Sequence, residues 1–108
     1  MGSHPASLAS VTRWIERRLP TLLRAHDIEA AYLFGSRARG DADGLSDIDL
    51  IIVASSRRPF VERFRDYPDL LAAPAGVDLL VYTPSEFAFE RRVNRFLRHA
   101  LRDARRLA

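Results

Sequence analysis

The sequence predicts a single α/β domain in which helices pack on a small β-sheet. Two patterns and one limit predict it. Three short apolar segments, at residues 28–34, 47–54 and 77–82, have the length and composition of strands. The segments around and between them carry apolar residues at helical spacing, with Gly, Pro, Asp and Ser at the joins. The chain has 108 residues, the size of one ordinary domain, with little room for a second. The resulting order is helix, strand, short helix, strand, helix, strand, helix.

Leu8, Val11, Ile15, Leu19 and Leu22 form one apolar stripe, which predicts an amphipathic helix from Ser7 to Ala25. Pro20 should kink or divide it, because the proline ring clashes with the preceding turn. His26, just beyond, reads as a solvated loop histidine. Ile28–Phe34 is the first strand, with Tyr32 and Phe34 as bulky packing residues. Ser36 reads as the N-cap of a short helical turn ending at Gly40. Asp41, Asp43 and Gly44 are turn formers. Asp47–Ala54 is the second strand, and its near-continuous apolar tail suggests a central position. Pro59 should open a helix carrying Phe60, Phe64, Tyr67 and Leu71 as a core-facing stripe, ended by Pro68.

Residues 72–76 read as a turn, and Val77–Tyr82 as the third strand. Asp78 lies inside that apolar segment and would be costly to bury unless paired or bound to metal; the plainer reading is an edge-strand aspartate facing water. Thr83-Pro84-Ser85-Glu86 is a helix start with a capping box. The last helix is expected to run to about Arg106 with Phe89, Val93, Phe96, Leu97, Ala100 and Leu101 as its apolar stripe. The arginines around that stripe read as a solvated face or as a docking surface for an acidic partner or RNA. Met1-Gly2-Ser3-His4 resembles a vector remnant; residues 1–6 are expected to be a disordered N-terminus or tag remnant, and 7–108 the domain.

Composition narrows the function classes. There is no cysteine, hence no disulfide and no thiolate metal site, which is compatible with a reducing cytoplasm and makes the cytoplasm the expected location. No apolar run approaches the roughly 20 residues of a membrane span. The 17 basic residues are all arginine, suited to bidentate phosphate or carboxylate contacts. The net charge of +3 is too small to argue nucleic-acid binding by itself.

The chemistry concentrates between Phe34 and Val53. An apolar strand stops at Gly35-Ser36, a glycine-punctuated connection follows, and Asp47 and Asp49 open the next apolar run. Strand residues two apart share a face, so these carboxylates should stand side by side. Adjacent carboxylates repel, and a divalent cation supplies the missing positive charge. Carboxylate oxygens suit Mg²⁺, which usually brings phosphates with it. Gly35 allows a ligand to approach the backbone, and a helix start after it offers N–H groups to an anion.

Gly35-Ser36, ten residues, then Asp47-Ile48-Asp49 resembles the signature of the DNA polymerase β-like nucleotidyltransferases. Phe34, Ser46 and Leu50 around it look most similar to the minimal nucleotidyltransferases, small prokaryotic proteins often paired with a HEPN-domain partner, some as antitoxins. The resemblance implies a mixed sheet, with the first two strands antiparallel and the third parallel to the second. It implies Mg²⁺, two ions, held by Asp47, Asp49 and Asp78, the last matching the family's third carboxylate. It implies phosphate binding by Gly35, Ser36 and Arg39, with Arg37 able to share that role or be solvated, and ATP as nucleotide donor.

Three functions are then open. The chain adenylylates a partner, a HEPN-type toxin from a neighbouring gene, on a tyrosine. Alternatively it is a non-catalytic module that neutralises its partner by contact alone. Or it modifies a small molecule such as an antibiotic, which in larger relatives needs an added domain.

Overall fold

The computed structural model describes residues 7–108, so the expectation for residues 1–6 lies outside the described residues. Four strands form one mixed sheet in the order β3-β2-β1-β4. They are β1 (Ala30–Phe34), β2 (Ile48–Val53), β3 (Val77–Tyr82) and β4 (Arg105–Arg106). β1 and β2 run antiparallel, with Ala30 opposite Val53 and Phe34 opposite Asp49. β2 and β3 run parallel, with Ile48 beside Val77 and Val53 beside Tyr82. The expected mixed sheet with a central second strand is the one observed.

Alternation along the strands divides the core in two. Leu33, Ile48, Leu50, Ile52 and Val81 face one side, where Val11, Ile15, Leu19 and Leu23 cover them. Phe34, Ile51, Val53 and Tyr82 face the other, under Phe87, Leu97 and Ala100. Each fully buried Leu or Ile contributes about 1.5–3 kcal/mol over remaining exposed, so β2, covered on both faces, anchors the fold.

The first helical segment divides, as Pro20 requires, into α1 (Leu8–Arg17) and α2 (Leu19–Arg24). Ser7 caps α1 through its side chain, and Pro20 occupies the first turn of α2, where its missing N–H costs nothing. His26 is not merely solvated. Its Nε2 meets both Asp69 carboxylate oxygens at 2.9 Å, and its ring packs against Tyr67.

Four further expectations are corrected. The segment after Pro59 forms two 3₁₀ stretches, Phe60–Asp66 and Pro68–Ala72, instead of an α-helix. Prolines bracket it too closely for a longer helix, and Tyr67, preceding Pro68, is held off helical angles at φ −128° and ψ 55°. The expected stripe is therefore core only at Tyr67, while Phe60, Phe64 and Leu71 are exposed. The last helix breaks at Asn94 into α4 (Pro84–Val93) and α5 (Arg95–Arg102). Asn94 is extended, and its Oδ1 accepts from the Leu97 N–H, capping α5. The break shifts the helical phase, so Phe87 is the buried aromatic and Phe89, Val93 and Phe96 are exposed. The helix also ends early. Arg105 and Arg106 form β4, antiparallel to β1 opposite Leu33 and Tyr32.

The capping box at Thr83 is present, and Glu86 does more than cap. It pairs with Arg63, which is 6% exposed and also donates to the carbonyls of Arg58 and Val81. The Arg63 hydrogen bond, with the Thr83 N–H, lowers the Glu86 pKa to about 2. A depressed carboxylate stabilises the fold above its unfolded value of 4.5 and loses that contribution as pH falls towards 2. Glu86→Ala leaves a buried guanidinium short of a partner. It is expected to cost about 1–3 kcal/mol by urea denaturation at neutral pH, with the deficit shrinking below pH 4.5. Among the described residues, no helix is long and apolar enough to cross a membrane.

Candidate active site

The end of β1 and the start of β2 meet because the two strands are antiparallel neighbours. Between them lies α3 (Ser36–Arg39). The expected cap is displaced by one residue: Gly35 is the N-cap, Ser36 is the first helical residue, and there is no side-chain capping bond. Gly35 takes φ 73° and ψ −156°, a region essentially reserved for glycine, so the chain turns more sharply than a serine cap would allow. Gly40, with φ 86°, closes the turn in the left-handed conformation.

The loop from Asp41 to Ser46 folds by its own polar groups. The Leu45 N–H donates to Asp43 Oδ1 at 2.8 Å, and the Asp43 N–H to Ser46 Oγ at 3.0 Å. Asp41 accepts from Arg39 Nε at 3.2 Å. Asp41 and Asp43 thus serve the turn, as their sequence context suggested.

Asp49 and Asp78 are direct neighbours in the β2–β3 register. They share the sheet face that α4 and α5 cover. Asp47 sits one residue before β2 and is exposed; Asp49 is half-buried. Asp78 is exposed on the edge strand, so the cost of burying it does not arise. Two glycines make room for the carboxylates. A Cβ on Gly35 would overlap Asp49 Oδ2, and one on Gly76 would lie 2.7 Å from Asp47 Oδ1. The sequence did not single out Gly76, because its role depends on the parallel register that brings the start of β3 beside Asp47. Ile48 N–H donating to Gly76 O at 2.7 Å fixes that approach.

Among the described residues, no group of three His, Cys, Asp or Glu side chains is already gathered in metal-binding geometry. The donor set nonetheless fits a hard divalent cation, being carboxylate oxygens around a site with a charge deficit. Burial first, and then the negative charges of Asp78 and Asp47, raise the Asp49 pKa; Arg39 and Arg37 oppose the rise without cancelling it. A bound cation removes that repulsion.

The two arginines of α3 differ. Arg39 is exposed and, among the described residues, held only by Asp41. Arg37 is 8% exposed, and its guanidinium donates to the carbonyls of Ser46 and Asp43. Phe96, half exposed, packs edge-on against Phe34 with ring centres 5.8 Å apart, and Phe34 is the register partner of Asp49. An exposed aromatic therefore packs on the β1 residue paired with Asp49, a placement hidden in the sequence by the break at Asn94. A cavity of about 560 Å³ lies elsewhere, between the 3₁₀ stretches and Val77 and Leu79. Those residues alternate with Asp78, so the cavity is on the opposite face from the carboxylates.

A family model described as "Polymerase beta, Nucleotidyltransferase" matches residues 18–94. That span contains Gly35, Ser36, Arg37, Arg39, Asp47, Asp49, Gly76 and Asp78, and ends before Phe96. A solved structure described as a toxin–antitoxin with AMP-PNP is similar in fold, with a TM-score of 0.61 and 24% identity over 86% of this chain and 72% of that one. A candidate nucleotidyltransferase from Sulfolobus solfataricus is similar with a TM-score of 0.58 and 24% identity, over 98% of this chain and 89% of that one. No curated protein sequence matches the chain at a significant level.

Proposed function

The chain belongs to the polymerase β nucleotidyltransferase family, and from that premise we propose that it transfers AMP from ATP to a hydroxyl of a partner protein, as the antitoxin of a HEPN-type toxin–antitoxin pair. The observation that carries the reading is the placement of three carboxylates, Asp47, Asp49 and Asp78, at one end of the sheet, with Asp49 packed against the Gly35-Ser36 turn.

In this reading Asp47, Asp49 and Asp78 hold Mg²⁺. When bound, the ion neutralises charge on the triphosphate and makes the acceptor hydroxyl easier to deprotonate. The main-chain N–H groups at the start of α3 and the Ser36 hydroxyl hold the outer phosphates. Arg39, exposed and paired with Asp41, swings onto them. The acceptor oxygen attacks the α-phosphorus, the bond to the β-phosphate oxygen breaks, and pyrophosphate departs towards the turn. Asp78, exposed at the sheet edge, takes up the hydroxyl proton.

A partner is supported by the surface beside the site. Phe89, Val93 and Phe96 are 60%, 58% and 52% exposed, on helices that also carry Arg91, Arg92, Arg95, Arg98 and Arg102. Exposed apolar groups of this size, rimmed by charge, mark contact surfaces. The similar structure's own toxin–antitoxin assembly accords with this. The same surface would serve a module that neutralises its partner by contact alone. The test is incubation with Mg²⁺, α-labelled ATP and the product of the neighbouring gene. Label on the partner supports transfer, whereas complex formation without label supports contact alone. Rapid labelling of a small molecule by the isolated chain would favour the antibiotic-type reaction.

A further inference from the structure

The geometry points to Arg37 as a positioning residue, whose buried guanidinium holds the peptide that presents Asp47 and does not contact the triphosphate. The inference rests on the metal-site reading above. Arg37 Nε and Nη2 lie 3.1 and 2.6 Å from the Ser46 carbonyl oxygen, and Nη2 lies 3.3 Å from that of Asp43. The Ser46 carbonyl belongs to the planar peptide unit that ends at the Asp47 nitrogen, so fixing the oxygen fixes that unit. On the other side of Asp47, the Ile48 N–H donates to Gly76 O at 2.7 Å. Asp47 is thus suspended between two anchored peptide units, one tied to α3 and one to β3.

Without Arg37, among the described residues, the part of the loop from 42 to 46 keeps only local bonds among Asp43, Leu45 and Ser46. Among the described residues Arg37 has no carboxylate partner, and its Nη1 is buried with no acceptor. A buried cation satisfied only by main-chain carbonyls is expensive and is poorly explained by general stability. Lysine does not substitute, because one ammonium cannot reproduce the planar fork that reaches both carbonyls.

The test compares wild-type protein with Arg37→Gln and Arg37→Lys by Mn²⁺ titration calorimetry, ATP titration in EDTA, and amide hydrogen exchange. Arg37→Gln is expected to weaken Mn²⁺ binding about 10- to 100-fold, the usual effect of removing a group that orients a ligand. Exchange should accelerate between Asp43 and Ile48, with the sheet unaffected. Arg37→Lys should fall nearer to Gln than to wild type, and provides the comparison should Gln not fold. Wild-type Mn²⁺ affinity and loop exchange in Arg37→Gln would overturn the role. So would weakened ATP binding in EDTA with Mn²⁺ binding intact, which would make Arg37 a phosphate ligand. Mn²⁺ binding that survives in Asp47→Ala would instead overturn the metal-site reading, and loop exchange would still report on Arg37.

Discussion

Asp49→Ala is expected to abolish nucleotidyl transfer, lowering kcat/KM by roughly 10³-fold or more, because charge stabilisation by a bound metal is worth several kcal/mol. Asp49 is the half-buried carboxylate between the other two, with Asp78 beside it in register and Asp47 two residues before it. Loss of fold would not be the cause. The folded Asp49 pKa lies above its unfolded value of 3.8, so the stability linked to its proton is present below that value and lost as pH rises through the folded pKa. At neutral pH and without metal, the charged side chain works against the fold. Asp49→Asn, which keeps the shape and removes the charge, is therefore expected to melt higher than wild type in metal-free neutral buffer. The gap should close at low pH and reverse when Mg²⁺ is added. Thermal denaturation with and without the ion checks both signs, and a variant that transfers AMP normally would refute the assignment.

Gly35→Ala is expected to lose both stability and transfer. Its φ of 73° with ψ −156° is closed to alanine at a cost of about 1–3 kcal/mol. The new methyl would also overlap Asp49 Oδ2, so the carboxylate must leave its position. Gly40→Ala is the control. Gly40 also has positive φ, 86°, but nothing lies within 4 Å of the added methyl. It should cost about 1–2 kcal/mol from backbone strain alone and leave transfer largely intact. Urea denaturation and Mn²⁺ titration of the pair separate strain from displacement of Asp49. Equal loss of metal binding in both variants would show that backbone strain, and not the Asp49 contact, is responsible.

The candidate site was legible in sequence where its signals are local. Gly35, Ser36, Asp47 and Asp49 lie within one connection, and strand alternation relates the two aspartates. Asp78 was legible only through the family resemblance and a polar residue in an apolar run; its register beside Asp49 is a long-range fact. Gly76 and the burial of Arg37 depend on how β3 and the Asp41–Ser46 loop return to the same place, and no spacing encodes that. Asn94 carried a readable signal, an Asn three residues before Leu97, but the continuous apolar stripe on either side concealed the break. The consequence lies on the surface, since the shifted phase exposes Phe89 and Phe96. β4 consists of two arginines with no strand pattern, and its pairing with β1 comes entirely from tertiary context.

ATP titration calorimetry in Mg²⁺ and in EDTA tests the central claim most directly, that the carboxylates and the Gly35-Ser36 turn form one metal–triphosphate site. Binding in Mg²⁺ is expected to fall sharply in EDTA, in Asp49→Ala and in Arg39→Ala. Equal ATP affinity in Mg²⁺ and EDTA, unchanged by Asp49→Ala, would contradict it.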